Sequence, residues 1–201
     1  MNGNFVVTIG RQLGSGGREI GQKVAEKLGY SFYDKNLIDM VASQSGLNKD
    51  VLHEADEHAS SPFLSSYMNP SGDYATINDK LYFTQSAIIK ELADKESCVI
   101  VGRCSDYVLR EYANCLHVFV YAPLPDRVKR IMIRHMLDNE EDAKKVIQKE
   151  DKRRRTYYQY YTDRKWASDE GRQLAIDSSY LGIDGTADLI AKMVQIKLTN
   201  N

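Results

Sequence analysis

Ten residues near the start of the chain carry the clearest chemistry: Gly10-Arg11-Gln12-Leu13-Gly14-Ser15-Gly16-Gly17-Arg18-Glu19. Four glycines fall within the eight residues from Gly10 to Gly17. Glycine admits backbone with positive φ and lets an anion approach the main chain closely. Successive amide N–H groups in such a loop form a nest, and a helix starting at its end adds the positive end of its dipole. The stretch is a candidate phosphate cradle, against the alternative of a tight strand-to-helix turn with no ligand. It departs from the phosphate-loop pattern GxxxxGK[ST]. With Gly16 as the last pattern glycine, Gly17 stands at the lysine position and Arg11 at the first glycine position. Gly14, Ser15, Gly16 and Gly17 are the candidate phosphate-binding residues. Arg18 is the nearest cation and the candidate substitute for the lysine, though its planar fork differs from an ammonium. Its alternative is a solvated first-turn residue. Glu19 reads as an acid favouring the helix N-terminus rather than as a metal ligand.

A second cluster lies far along the chain, at Asp151-Lys152-Arg153-Arg154-Arg155-Thr156-Tyr157-Tyr158. On a helix, Asp151 and Arg154 share a face while Arg153 and Arg155 diverge from it. Arginines in such a place can neutralise charge on a moving phosphoryl group; by itself the run also fits a solvated charged helix. Tyr157, Tyr158, Tyr160, Tyr161 and Trp166 follow, and packing is favoured over stacking on a base. Asp34 ends a short apolar strand, where it could serve a ligand or cap the next helix. It also opens a dinucleotide reading, but GxGxxG fails: from Gly14 and Gly16 the next required glycine falls on Glu19. Gly102-Arg103 ends another apolar run, placing a bidentate cation at a sheet edge or, alternatively, in a surface ion pair. His53, His58, His117 and His135 are dispersed and form no metal pattern.

The elements that must position these residues read as alternating strands and helices. Apolar runs mark buried strands at Phe5 to Ile9, Ser31 to Tyr33, Cys98 to Gly102, Leu116 to Tyr121 and Leu174 to Asp177. Helical spacing covers Glu19 to Leu28, Leu37 to Ala42, Ile77 to Ala93, a segment begun by Pro123 or Pro125, and Ala187 to Leu198. His58 to Asp73, rich in serine and holding two prolines, is expected to be a mobile loop, and Asp177 to cap or close its turn. The alternation predicts a parallel sheet covered on both faces. At 201 residues the chain suits one domain. A net charge of −1 sets up no global field for a nucleic-acid polymer or a membrane. Cys98, Cys104 and Cys115 are odd in number and show no CxxC pair, which fits a reducing compartment. With no apolar run near the roughly 18 residues of a membrane span, the expectation is a soluble cytoplasmic protein.

Together, in order and spacing, these pieces resemble the cytidylate-kinase-like branch of the nucleoside-monophosphate kinases, from Val6 to about Ile190. The pieces are Thr8 to Gln12 with Gly14 to Gly21, Phe32-Tyr33-Asp34, Val101-Gly102-Arg103, the Asp151 to Arg154 segment and Ala175 to Ser179. The resemblance implies a three-layer α/β P-loop kinase fold on a parallel five-stranded sheet, with an acceptor-binding insert at about 47–77 and a helical lid at about 139–169. It implies an ATP-dependent phosphotransferase acting on a nucleoside monophosphate, CMP first, as a monomer or homodimer. Arg18, Arg153 and Arg154 would be catalytic, and Asp34, Arg103 and Asp151 would hold the acceptor. Mg²⁺ would enter with ATP, bound through nucleotide oxygens and water, with Ser15 the nearest hydroxyl. Cys104 replaces the family's usual aspartate and Lys35 its small hydroxyl residue, so the base is left open. A kinase of a non-nucleotide acceptor, or a nucleotide-binding regulatory module with little turnover, are the alternatives.

Overall fold

The computed structural model describes residues 3–34, 37, 39–40, 43 and 77–200. All of the expected insert at 47–77 but its last residue, the loop His58 to Asp73, Lys35, His53 and half of the expected helix from Leu37 to Ala42 lie outside the described residues. Strands are β1 (Val6–Arg11), β2 (Ser31–Tyr33), β3 (Cys98–Val101), β4 (Cys115–Tyr121) and β5 (Leu174–Asp177). Helices are α1 (Gly17–Leu28), α2 (Ile77–Lys95), α3 (Ser105–Val108), α4 (Leu124–His135), α5 (Glu140–Thr162) and α6 (Ser178–Thr199). The strands form one parallel sheet in the order β2-β3-β1-β4-β5. β1 lies at the centre, where its β-branched residues are buried on both faces, as a parallel strand requires.

Strand alternation sorts the core into two halves. Phe5, Val7 and Ile9 point with Val99, Val101, Val118 and Val120 toward α1 and α6, against Ile20, Val24, Ile190 and Val194. Val6, Cys98 and Ile100 point the other way, against Leu81, Ile88, Ile89 and Leu92 of α2. Helices therefore cover both faces, giving the three-layer α/β architecture. Gly29 ends α1 in the left-handed region at φ 69°. Asn139 starts α5 by accepting the Glu141 N–H at 2.9 Å, with three acids in the first turn. Asp177 caps α6 by accepting the Ser179 N–H at 2.8 Å. No helix among the described residues is long and apolar enough to cross a membrane, and Cys98, Cys104 and Cys115 are all free.

Two elements differ from the sequence expectation. α6 begins nine residues before Ala187, because Gly182 breaks its helical backbone (φ 70°, ψ −177°) and interrupts the apolar period. α3 is a single turn of four residues, too short to show a period.

One polar pair sits inside the sheet. Thr8 Oγ1 lies 2.8 Å from His117 Nδ1 on the adjacent strand, both residues buried. Burial lowers the His117 pKa below its usual 6.5, with Asp106 opposing the shift and Arg172 adding to it. The unfolded chain then binds the proton more readily, so the neutral ring's stability is complete above pH 6.5 and is lost as pH falls below it. Chemical denaturation between pH 7 and 5 should show stability falling toward acid, and His117→Gln should flatten that part of the profile.

Candidate active site

The loop between β1 and α1 is shaped by what holds its carbonyls. The Arg11 carbonyl accepts from Arg154 Nη1 at 3.1 Å. The Gln12 carbonyl accepts from the Ser15 N–H at 3.3 Å and from Ser15 Oγ at 2.9 Å. Arg127 Nε reaches the Leu13 carbonyl at 2.7 Å, and Arg130 Nη1 the Gly14 carbonyl at 3.2 Å. Ser178 Oγ donates to the Ser15 carbonyl at 2.6 Å, and the Ile20 N–H to the Gly16 carbonyl at 2.9 Å. Each of the six consecutive carbonyls from Arg11 to Gly16 thereby has a donor, four of them from side chains of later helices. In a trans peptide the N–H points opposite to the C=O. The amides of Gly14, Gly16 and Arg18 belong to residues that line a cavity, joined there by the open first turn of α1. Gly14 and Gly16 both stand at φ 79°, and a Cβ on Gly14 would come 2.8 Å from the Arg127 carbonyl.

Asp151 fixes this arrangement from α5. It accepts the Leu13 N–H at 2.8 Å and ion-pairs with Arg127, and both partners of the pair are buried. Removing one member of such a pair strands the other charge in the interior.

The cavity holds about 490 Å³ and is lined by the loop, the ends of β2 and β3, α4 and α5. Seven arginines face it, Arg11, Arg18, Arg103, Arg134, Arg153, Arg154 and Arg172, against three carboxylates, Asp34, Asp106 and Glu150. Arg18 Nε lies 2.6 Å and Arg11 Nη2 3.5 Å from the Asp34 carboxylate. Burial lowers the Arg11 guanidinium to about 10, Asp34 opposing and Arg103, Arg153 and Arg18 adding. Burial and then the neighbouring Arg11 lower Arg154 to about 9. Arg11 and Arg154 stay protonated at neutral pH, crowded by like charges, a field that an anion would relieve. Arg103 sits in a run of three left-handed residues, Gly102, Arg103 and Cys104 at φ 78°, 59° and 53°. Such backbone in non-glycine residues is strained and collects at ligand sites.

Of the residues singled out from sequence, Gly14, Gly16, Gly17, Arg18, Asp34, Arg103, Arg153 and Arg154 meet at this cavity. Ser15 and Asp151 are not part of its lining. Ser15 is fully buried, with its hydroxyl turned to the Gln12 carbonyl, and the Asp151 carboxylate is engaged by the loop and Arg127. Arg18 is committed to Asp34 at the rim. Sequence reasoning missed Arg11, Arg127 and Arg130. Arg11 was visible only as the residue displacing a pattern glycine, and the α4 arginines lie between apolar positions with nothing to set them apart. The aromatic run packs as expected: Tyr161 stacks on Tyr82 at 4.0 Å, Tyr158 Oη donates to Asp106 at 3.0 Å, and Trp166 meets Phe119 edge-on at 5.4 Å. Tyr157, Tyr158 and Trp166 also reach the cavity wall.

A parallel β2-β3-β1-β4-β5 sheet with a glycine loop at the end of its central strand and an arginine-lined cavity above it is the architecture of the three-layer P-loop kinase fold. Over residues 6–180 the chain matches the cytidylate kinase-like family, and it belongs to that family. A crystal structure of an uncharacterized protein from Eubacterium ventriosum is similar at 26% identity and TM-score 0.73, covering 96% of this chain and 99% of that one. Shikimate kinase from Bacteroides thetaiotaomicron shares the fold at 15% identity and TM-score 0.55, covering 95% and 98%. A gluconokinase from Sinorhizobium meliloti does so at 14% identity and TM-score 0.51, covering 96% and 97%. No curated protein matches the chain.

Asp151→Ala should cost about 3–5 kcal/mol in urea unfolding by leaving Arg127 charged and buried. Arg127→Met with Asp151→Leu should recover much of that loss.

Proposed function

We propose that this protein transfers the γ-phosphoryl group of ATP to a nucleoside monophosphate, with CMP the first candidate. The observation that carries the reading is the distribution of cations around one cavity. The loop amides supply a floor for a polyphosphate, while Arg103 at the end of β3 and Arg153 and Arg154 on α5 line walls beyond it. That is more positive charge than a triphosphate cradle alone requires, and it suits an acceptor that carries its own phosphate. An anionic acceptor oxygen needs no general base, so catalysis reduces to positioning and charge neutralisation. Asp34 fits this scheme as a carboxylate held between Arg11 and Arg18, orienting those cations rather than abstracting a proton. Arg154, carried on α5 against the loop, is the candidate for stabilising the transferring group, with Arg153 beside it. Asp151 is a positioning residue, fixing α5 to the loop. The segment at 47–77 is assigned to the acceptor.

Mg²⁺ suits this site as a passenger of the nucleotide. Among the described residues no three His, Cys, Asp or Glu side chains gather to hold a metal ion, and the Ser15 hydroxyl is turned into the protein. Carried in with the nucleotide, the ion would supply charge neutralisation.

Release of ADP from Mg–ATP should be measured with CMP, UMP, AMP, shikimate, gluconate and no acceptor. Turnover with a nucleoside monophosphate, CMP foremost, supports the reading. Turnover confined to a non-nucleotide acid, as in the shikimate kinase and gluconokinase that share the fold, replaces it with a small-molecule kinase. Tight ATP binding with no turnover across the panel replaces it with a regulatory module. Arg154→Ala should lower kcat about 10³-fold with the preferred acceptor, the size expected for an arginine at the transferring group.

A further inference from the structure

The loop lacks the lysine that the pattern GxxxxGK[ST] places directly after its last glycine, where this chain has Gly17. The structure accounts for that glycine. A Cβ on Gly17 would lie 2.6 Å from Arg11 Cβ, 3.2 Å from Arg11 Cγ and 3.3 Å from Val120 Cβ. Positions 11 and 17 therefore share one space, and only one of them can carry a side chain. In the common pattern the first position is glycine and the seventh is lysine; here the first is Arg11 and the seventh is Gly17. From that shared space the Arg11 stem runs beneath the loop. Its guanidinium then lies against Gly102, where a Cβ would collide with Nη1, and reaches within 3.5 Å of Asp34. Arg11 lines the cavity, and its side chain is only 20% exposed, whereas the Arg18 side chain is 58% exposed at the rim.

We infer that the two positions have exchanged roles: Arg11, rising from the end of β1 through the space left by Gly17, is the fixed phosphate-binding cation of this loop in place of the missing lysine. This rests on the polyphosphate reading above and adds to it the identity of the cation beneath the phosphates. The exchange gives the donor phosphates a forked, bidentate partner instead of a point charge. It also makes Gly17 and Gly102 necessary as the residues that leave the arginine its path.

The test is calorimetric binding of Mg–ATP, without acceptor, to wild type, Arg11→Met, Arg18→Met, Gly17→Lys and the exchanged double variant Arg11→Gly/Gly17→Lys. Circular dichroism and a melting temperature on each report folding. Arg11→Met keeps the stem and removes the charge, and should weaken binding about 10- to 100-fold, the loss of a charged hydrogen-bonding group. Gly17→Lys alone should weaken it as well, through collision with the Arg11 stem. The double variant, which restores the glycine and the lysine of the common pattern, should bind within about tenfold of wild type, so that two harmful changes compensate. A wild-type affinity in Arg11→Met, a greater loss in Arg18→Met than in Arg11→Met, or a folded double variant that binds no better than Arg11→Met overturns the inference while leaving the kinase reading in place. Failure of the wild type to bind Mg–ATP removes both.

Discussion

The site depends on the orientation of a few peptide planes. A loop of small residues has many conformations open to it, and an anion nest needs one of them. This chain selects it largely from outside, by binding the carbonyls of Arg11, Leu13, Gly14 and Ser15 from later helices, while Ser15 and Ile20 hold those of Gln12 and Gly16 locally. The donors come from three different helices: Arg127 and Arg130 on α4, Arg154 on α5 and Ser178 at the start of α6. The positions of the helices in the C-terminal half are thus recorded in the geometry of a loop at the N-terminal end. The contacts interlock, since Asp151 holds both Arg127 and the Leu13 N–H.

The electrostatics are equally local. The chain as a whole carries a net charge of −1, yet seven arginines converge on one cavity. Charges so placed repel, and burial removes the water that would screen them. Arg11 and Arg154 feel this most, their guanidiniums lowered to about 10 and about 9. The carboxylate of Asp34, buried between Arg11 and Arg18, relieves part of the repulsion and holds two of the forks in fixed directions.

Much of this could be read from the chain. All five strands were legible, because buried parallel strands leave short β-branched runs such as Val6 to Ile9 and Cys98 to Val101 that few other elements imitate. The loop, Asp34, Arg103 and the α5 arginines were legible as types at the right sheet edge. The directions in which side chains turn were not. Ser15 and Asp151 carried the right chemistry for ligands, yet burial turned both inward, where they hold the loop instead. The same blindness hid Arg127 and Arg130, since their role lies in reaching carbonyls far off in sequence. Arg11 went unassigned because a pattern match asks which residue fills each position, whereas the fold asks which positions share a volume.

The attachment of α5 bears on how such a cavity can open. Near its start, Ala143 and Ile147 are packed against Val128 and Ile131 of α4. In its middle, Asp151 and Arg154 are bonded to the loop. Toward its end, Tyr158 is buried near Tyr82 of α2, and Tyr161 stacks on that same ring. A helix fastened at three stations moves only at a cost: swinging any part of it away would break an apolar cluster, a buried ion pair or an aromatic stack. Rotamer changes of Arg153 and Arg154, which line the cavity from this helix, leave all three fastenings of its backbone in place.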